Sequence, residues 1–401
     1  MNILIYGPFA FPNGTGATAR MHAYGSGLIS QGCAINLFCV EPTEFESSIQ
    51  NKDIVGEVNG IHYRYTCGTT VANSSSLRRK LDQARGVICL FFGIIQEHRK
   101  NKIDIIIYYT AKSIIHAFVG WLACKICKIT FYAETTEFPL IYEKENFKKI
   151  LKTKIHNITC KLYDGLIVIS TLLETHYRKL LRESAEILRI PIIVDTRMFV
   201  SSTMSNSQRT ICYCGNLSSL SELDNLLYIF SRIICNHENV ILKIIGDLEK
   251  SPYKTRILDI VMANNLQKMV IFTGAIAHKD IASVFAVVDI FVLPRPSGLF
   301  SSAGFPTKLG EYLAIGKPVI TTDTGDIPLY LTHKVDAYLV EADNNEAFAA
   351  TLNHVLSNPD EASIVGKNGR QTCLRYFDAE VNAVLMLAHF RKKNHCNGVG
   401  V

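Results

Sequence analysis

The chain has 401 residues, 48% of them hydrophobic and 19% charged. That length exceeds what a single core usually reaches, so two domains are expected, and the apolar content excludes a disordered chain. A formal net charge of +6 with no recognition module or dense basic stripe excludes a nucleic-acid partner and suits an enzyme of anionic substrates. The twelve cysteines are scattered through apolar runs, and Cys124 and Cys127 lack the second pair a zinc site needs, so they read as reduced small hydrophobes. The first residues enter a strand at once, without a basic leader, and the longest apolar run, 86–95, is about half of what spans a bilayer. A cytoplasmic protein is expected, at most peripheral on the inner face of the membrane.

In chain order, NILIYG reads as a strand, GPFAFPNGTGATAR as a glycine-rich loop, residues 17–31 as a helix and AINLFCV as a second strand. Strand, glycine loop, helix and strand make one Rossmann-type unit. Further strands are predicted at IHYRYT, KIDIIIYYT, ITFYAE and GLIVIS, with ILRIPIIVDTRMF as the last strand and exit of a first domain. The polar stretch 200–209 is the linker candidate. A second cycle follows: TICYCGNL (strand), ELDNLLYIFSRII (helix), NVILKIIGD and KMVIFTGA (strands), DIASVFAVV (helix), DIFVLPRP (strand), PTKLGEYLAIG (helix) and KPVITTD (strand). Residues 362–392 close the chain as helix. The fold class is therefore α/β, with two Rossmann-like domains at 1–199 and 200–377. The helix at about 378–393 is expected to pack back on the first.

The segment 306–320, PTKLGEYLAIGKPVI, reads as loop, helix, glycine stop and buried strand. Its helix follows the Gly/Ser-rich loop 297–304, so its amino end offers free N–H groups to an anion such as a diphosphate. Lys308 in the first turn opposes the helix dipole unless an anion sits nearby. Glu311, about one turn on, shares its face and could accept hydrogen bonds from a ribose diol. An ordinary amphipathic helix with both side chains solvated explains the same pattern.

This segment resembles the donor-binding signature of retaining glycosyltransferases of family 4, with the GT-B fold, in the variant P-x-K-x-x-E-Y-x-A-x-G-x-P-V-I. The resemblance runs over nearly the whole chain. Asn13-Gly14-Thr15-Gly16-Ala17 with Arg20 is similar to the family's glycine loop. Val168-Ile169-Ser170 and Ile193-Val194-Asp195 with Phe199 are similar to segments at the domain junction. Ile245-Gly246-Asp247 and Phe272-Thr273-Gly274 are similar to strand ends around the nucleotide base. The resemblance implies two facing domains with the ligand in the cleft between them. It also implies ribose binding by Glu311, and a diphosphate beside Thr307, Lys308, Gly14 and Gly16.

Three departures stand out. Ala303 occupies the place of a second glutamate, and Asn216 and Ser221 or Glu222 replace the usual basic pair. Lys308, Arg295 and Arg20 are expected to substitute as cations, since uncompensated phosphate charge is costly in a partly dry site. Surface roles for Arg295 and Arg20 are the alternative.

On the acceptor side, Glu134 and Glu137 in YAETTEFP follow an apolar strand directly and are candidates to position or deprotonate a hydroxyl. An acidic helix start is the alternative. Residues 144–161 carry six lysines among apolar residues. They could rest on anionic lipid, or form a solvated helix face. His116 reads as structural. No metal or other cofactor is expected: there is no Asp-x-Asp and no histidine pair at ligand spacing.

The expected activity is transfer of a hexose-type sugar from a nucleoside-diphosphate sugar to a hydroxyl of a glycan or lipid-linked glycan, with retention, in surface polysaccharide synthesis. A catalytically silent relative that binds nucleotide weakly is the first alternative. An NAD-dependent dehydrogenase is the remote one, since the Gly14 loop lacks a third glycine at the required place.

Overall fold

The structure is a computed structural model that describes residues 1–47, 49–110, 113–139, 147–200, 208–237 and 239–397. Two compact units divide it, Met1–Ile193 with the segment from Ala379, and Val194–Asp378. Unit 1 runs β1 (Asn2–Gly7), α1 (Gly16–Ser30), β2 (Ala34–Cys39), β3 (Val55–Val58), β4 (Ile61–Tyr65), α2 (Ser76–Asn101) and β5 (Ile105–Tyr109). It continues with α3 (Ile114–Cys127), β6 (Thr130–Thr135), α4 (Phe147–Cys160), β7 (Gly165–Val168), α5 (Thr171–Arg178) and β8 (Glu186–Arg189). Its sheet has the order β3-β4-β2-β1-β5-β6-β7-β8, parallel except for the β3–β4 pair. β1 and β5 read as unbroken apolar runs because helices cover both faces of a parallel sheet.

Unit 2 begins with β9 (Arg209–Cys214), α6 (Leu220–Ile233), β10 (Val240–Ile245), α7 (Lys254–Ala263), β11 (Val270–Gly274), α8 (His278–Ala286) and β12 (Ile290–Leu293). Then come α9 (Leu299–Ala303), α10 (Thr307–Ile315), β13 (Val319–Thr322), α11 (Ile327–Tyr330), β14 (Tyr338–Val340), α12 (Asn345–Ser357) and α13 (Pro359–Tyr376). α14 (Ala379–Asn397) returns to unit 1. The second sheet has the order β11-β10-β9-β12-β13-β14 and is parallel in its ladders. Each unit is thus Rossmann-like.

Three local expectations are corrected. The closing helix is two helices broken at Phe377 and Asp378, and α14 packs on α1, where a Cβ on Gly27 would lie 2.1 Å from the Ala379 carbonyl oxygen. The division between units falls at 193/194, because the Val194 amide donates to the Phe377 carbonyl (2.8 Å) and Thr196 Oγ1 to Asp378 Oδ2 (2.5 Å), which ties the exit segment into unit 2. The loop 297–304 contains α9. Most of the linker candidate, 201–207, lies outside the described residues.

Among the described residues no helix is long and apolar enough to cross a membrane. The described cysteines are free, most of them packed in the cores.

Candidate active site

Every strand of the parallel second sheet ends on the same edge, and unit 2's candidates gather there. Gly246 follows β10, and a Cβ at that position would meet the Gly215 carbonyl at 2.6 Å, so only glycine lets the two strand ends approach so closely. Its amide donates to the Gly274 carbonyl (3.1 Å), and Gly274 itself has φ +76°. Thr273 Oγ1 also donates to that carbonyl (3.1 Å). Bare backbone of this kind suits a flat ring laid against it.

α10 begins at this edge because it runs antiparallel to the strands. Pro306 precedes it at φ −70°, and no side chain caps it, so its first-turn dipole is open to an outside anion. Its body is fixed from two sides. The Tyr312 hydroxyl accepts from the Cys214 amide (2.7 Å) and donates to the Cys214 carbonyl (3.3 Å), while its ring stacks on Phe291 at 4.3 Å. Gly316 at φ +80° stops the helix in the left-handed region. Thr307 and Lys308 are half-buried, and Lys308 Nζ donates to Glu311 Oε2 at 2.7 Å. Burial would lower the Lys308 pKa, but the Glu311 carboxylate outweighs it and holds the ammonium above its ordinary value. The first two turns therefore carry a charged lysine and a buried carboxylate already oriented against one another.

Arg295, at the end of β12, is half-buried and donates weakly to the Ser301 carbonyl (3.4 Å). An acidic neighbour acts on its charge. Glu222, in the first turn of α6, lies near enough to raise the Arg295 pKa against the larger lowering from burial, and Glu222 also hydrogen-bonds Tyr213. Burial pushes the Glu222 carboxyl up, and Arg295 and Tyr213 pull it partly back. This cluster of Tyr213, Glu222 and Arg295 was not legible as a unit, because its members lie on three separate strand ends and helix starts. Ala303 is fully buried in α9, while Asn216 is exposed.

Unit 1 supplies a second set. Gly14 and Thr15 are exposed ahead of α1 and Gly16 is exposed at its start, after a loop held by Asn51, whose side chain accepts from the Asn13 amide and donates to the Asn13 carbonyl, each at 2.8 Å. Arg20 and Glu134 both face inward and meet each other. Arg20 Nε lies 2.5 Å from Glu134 Oε1, with side-chain exposures of 2% and 0%. Arg20 also donates to the Pro191 carbonyl (2.8 Å), the Ile190 carbonyl (3.2 Å) and the Tyr24 hydroxyl (3.0 Å). Tyr24 in turn donates to Glu134 Oε1 (2.9 Å), and Glu134 Oε2 is buried with no hydrogen-bond partner. Burial raises the Glu134 pKa, and Arg20 and Tyr24 oppose it incompletely. Glu137, two residues beyond β6, is exposed, and its carbonyl accepts from Thr135 Oγ1 (3.1 Å).

His116 is buried in α3 with Nδ1 unpartnered, and burial pushes its pKa down to about 4. Part of the basic stretch, Lys144 among it, lies outside the described residues; Leu151, Lys152, Lys154 and Ile158 of α4 are exposed.

Residues 195–372 match the family described as "Glycosyl transferases group 1". N-acetyl-alpha-D-glucosaminyl L-malate synthase of Bacillus anthracis is 21% identical over 295 residues, which cover 70% of this chain and 73% of that protein. Sucrose-phosphate synthase from Thermosynechococcus elongatus superposes with a TM-score of 0.75 at 18% identity, over 98% of this chain and 99% of the other. HepE of Anabaena, solved in complex with UDP and glucose, gives 0.69 at 14% identity, over 98% and 100%. These structures share the GT-B fold of two Rossmann-like domains.

Proposed function

We infer that this chain, a glycosyltransferase by the group 1 domain over residues 195–372, moves a hexose-type sugar from a nucleoside-diphosphate sugar to a hydroxyl of a glycan or lipid-linked glycan, with retention and without a metal. The observation that carries the reading is the uncapped amino end of α10, with Lys308 and Glu311 paired in its first turns. The diphosphate takes the helix end and the Lys308 ammonium. Glu311 uses one oxygen on Lys308 and offers the other to the ribose diol, and Gly246, Thr273 and Gly274 border the base. That HepE, similar in fold, was solved with UDP supports a nucleoside diphosphate as the ligand.

In the transfer, the bond from the anomeric carbon to the diphosphate oxygen breaks and a bond to the acceptor oxygen forms. The electron pair leaves on the diphosphate, where helix dipole and lysine stabilise it. The acceptor proton passes to Glu137 or to the departing diphosphate. Glu134, buried against Arg20, positions β6 and the loop carrying Glu137 and does not touch the acceptor.

A second reading rests on Ala303 at full burial and on Arg295 sharing its surroundings with the Glu222 carboxylate. With fewer free cations at the edge, the chain would bind nucleotide and turn nothing over. Incubating the protein with a panel of nucleotide sugars and lipid-extracted glycan acceptors, with and without EDTA, separates the two. Transfer detected by mass spectrometry and unchanged by EDTA supports the reading. Loss of product with EDTA removes metal independence, and nucleotide binding without product from any donor favours the silent relative.

A further inference from the structure

Unit 1 covers its sheet unequally. The crossovers from β4 to β5, β5 to β6 and β6 to β7 all advance in one direction along the sheet, so right-handed connections put α2, α3 and α4 on one face. α2 packs on α3 and α3 on α4, whereas α1 packs on α14. The layer of α2, α3 and α4 inverts the ordinary pattern of a surface helix. α2 buries Gly86, Leu90, Gly93 and Ile94 inward, yet its outward stripe at spacings of four and three is Leu77, Leu81, Ala84 and Ile88, followed by Phe92. Leu81 is 61% exposed and Phe92 63%. The outward side of α3 continues it with Ile115, Phe118, Leu122 and Ile126, and α4 adds Leu151 and Ile158. An exposed apolar stripe repeated on three adjacent helices exceeds the scattered hydrophobics of an ordinary surface.

The same three helices hold eleven of the chain's lysines and arginines against two acidic residues, Asp82 and Glu97, while the whole chain has a net charge of +6. The excess positive charge of the protein is therefore concentrated in this layer. Exposed examples flank the apolar stripe, among them Arg78, Arg79, Lys80, Arg85 and Lys152.

We propose that the α2–α3–α4 layer is a docking surface for an anionic lipid bilayer, into whose headgroup region the apolar stripe inserts while the cations engage lipid phosphates. The charge argues for this occupant: a second copy on the same face would oppose two strongly positive surfaces, whereas an anionic membrane complements one. The surface is much broader than the stretch 144–161 that the sequence suggests. It stands independently of the transfer reading, because it needs no nucleotide sugar.

The test is co-sedimentation of the full chain with vesicles of phosphatidylcholine alone or mixed with phosphatidylglycerol. The chain's single tryptophan, Trp121, stands on α3 with its ring 5.6 Å from that of Phe118, so its emission reports insertion. Binding to the anionic vesicles, a blue shift of Trp121 and weakening by salt are expected. The triple variant Ile88→Gln/Phe92→Gln/Phe118→Gln should lose at least about tenfold in partitioning, and Arg78→Gln/Arg79→Gln/Lys80→Gln should lose about fivefold per cation at low salt. Both should keep the wild-type melting curve, since all six side chains are exposed. Absence of wild-type binding to anionic vesicles overturns the proposal. So does equal binding by either variant, or self-association without lipid that the triple variant abolishes, which would make the face an interface between copies.

Discussion

Replacing Arg20 by methionine removes one member of an ion pair that unit 1 buries completely. The remaining Glu134 carboxylate is 0% exposed and keeps only the Tyr24 hydroxyl, and two backbone carbonyls, of Ile190 and Pro191, lose their guanidinium donor. Breaking such a pair from one side costs about 3–5 kcal/mol, because an uncompensated charge stays in the interior. Glu134→Leu strands Arg20 in the same way and should cost a similar amount. The double variant Arg20→Met/Glu134→Leu fills the space with apolar groups and leaves no buried charge, so it should be less destabilised than either single variant. Urea unfolding followed by Trp121 fluorescence reads this directly, because the single tryptophan stands in unit 1 and reports its transition apart from that of unit 2. A loss below about 1 kcal/mol for Arg20→Met, or losses that simply add in the double variant, would refute the buried pair and return Arg20 to a ligand-facing role.

Acid should destabilise unit 1 through His116. Its folded pKa of about 4 lies below the ordinary imidazole value, so the unfolded chain binds more protons between the two, and stability falls as pH drops through that window, by about 3 kcal/mol at most. His116→Leu should flatten that slope in pH-dependent melts. Lys308 has the opposite sign: its raised pKa contributes stability that is present below the ordinary lysine value and lost as pH rises through the folded one, so alkaline unfolding of unit 2 should be less steep in Lys308→Met. Gly27→Ala would drive a methyl group into the Ala379 carbonyl at 2.1 Å and should destabilise the α1–α14 packing by about 1–3 kcal/mol in urea melts.

Most strands were legible because parallel strands covered on both faces become continuous apolar runs, as in ILIY of β1 and IIIYY of β5. The α10 segment was legible from its proline start, glycine stop and the Lys308–Glu311 spacing. α2 was not: its apolar residues lie on both inward and outward faces, and only its run 86–95 stood out. β3 is a four-residue edge strand containing a glycine and gives almost no periodic signal. The meeting of Arg20 with Glu134, 114 positions apart, is a product of the β1-β5-β6 neighbourhood in the sheet, which no local pattern encodes. For the same reason the charge on Arg295 looked available for phosphate until α6 brought Glu222 beside it.

The most direct measurement is calorimetric titration of UDP, GDP and ADP into the wild-type chain, Lys308→Met and Glu311→Ala. A diphosphate seated at the amino end of α10 requires that at least one of the three bind the wild type. It also requires that the preferred one bind at least about tenfold more weakly to each variant, since each removes a charged contact. Identical affinities in all three proteins, or no binding to the wild type, would contradict it.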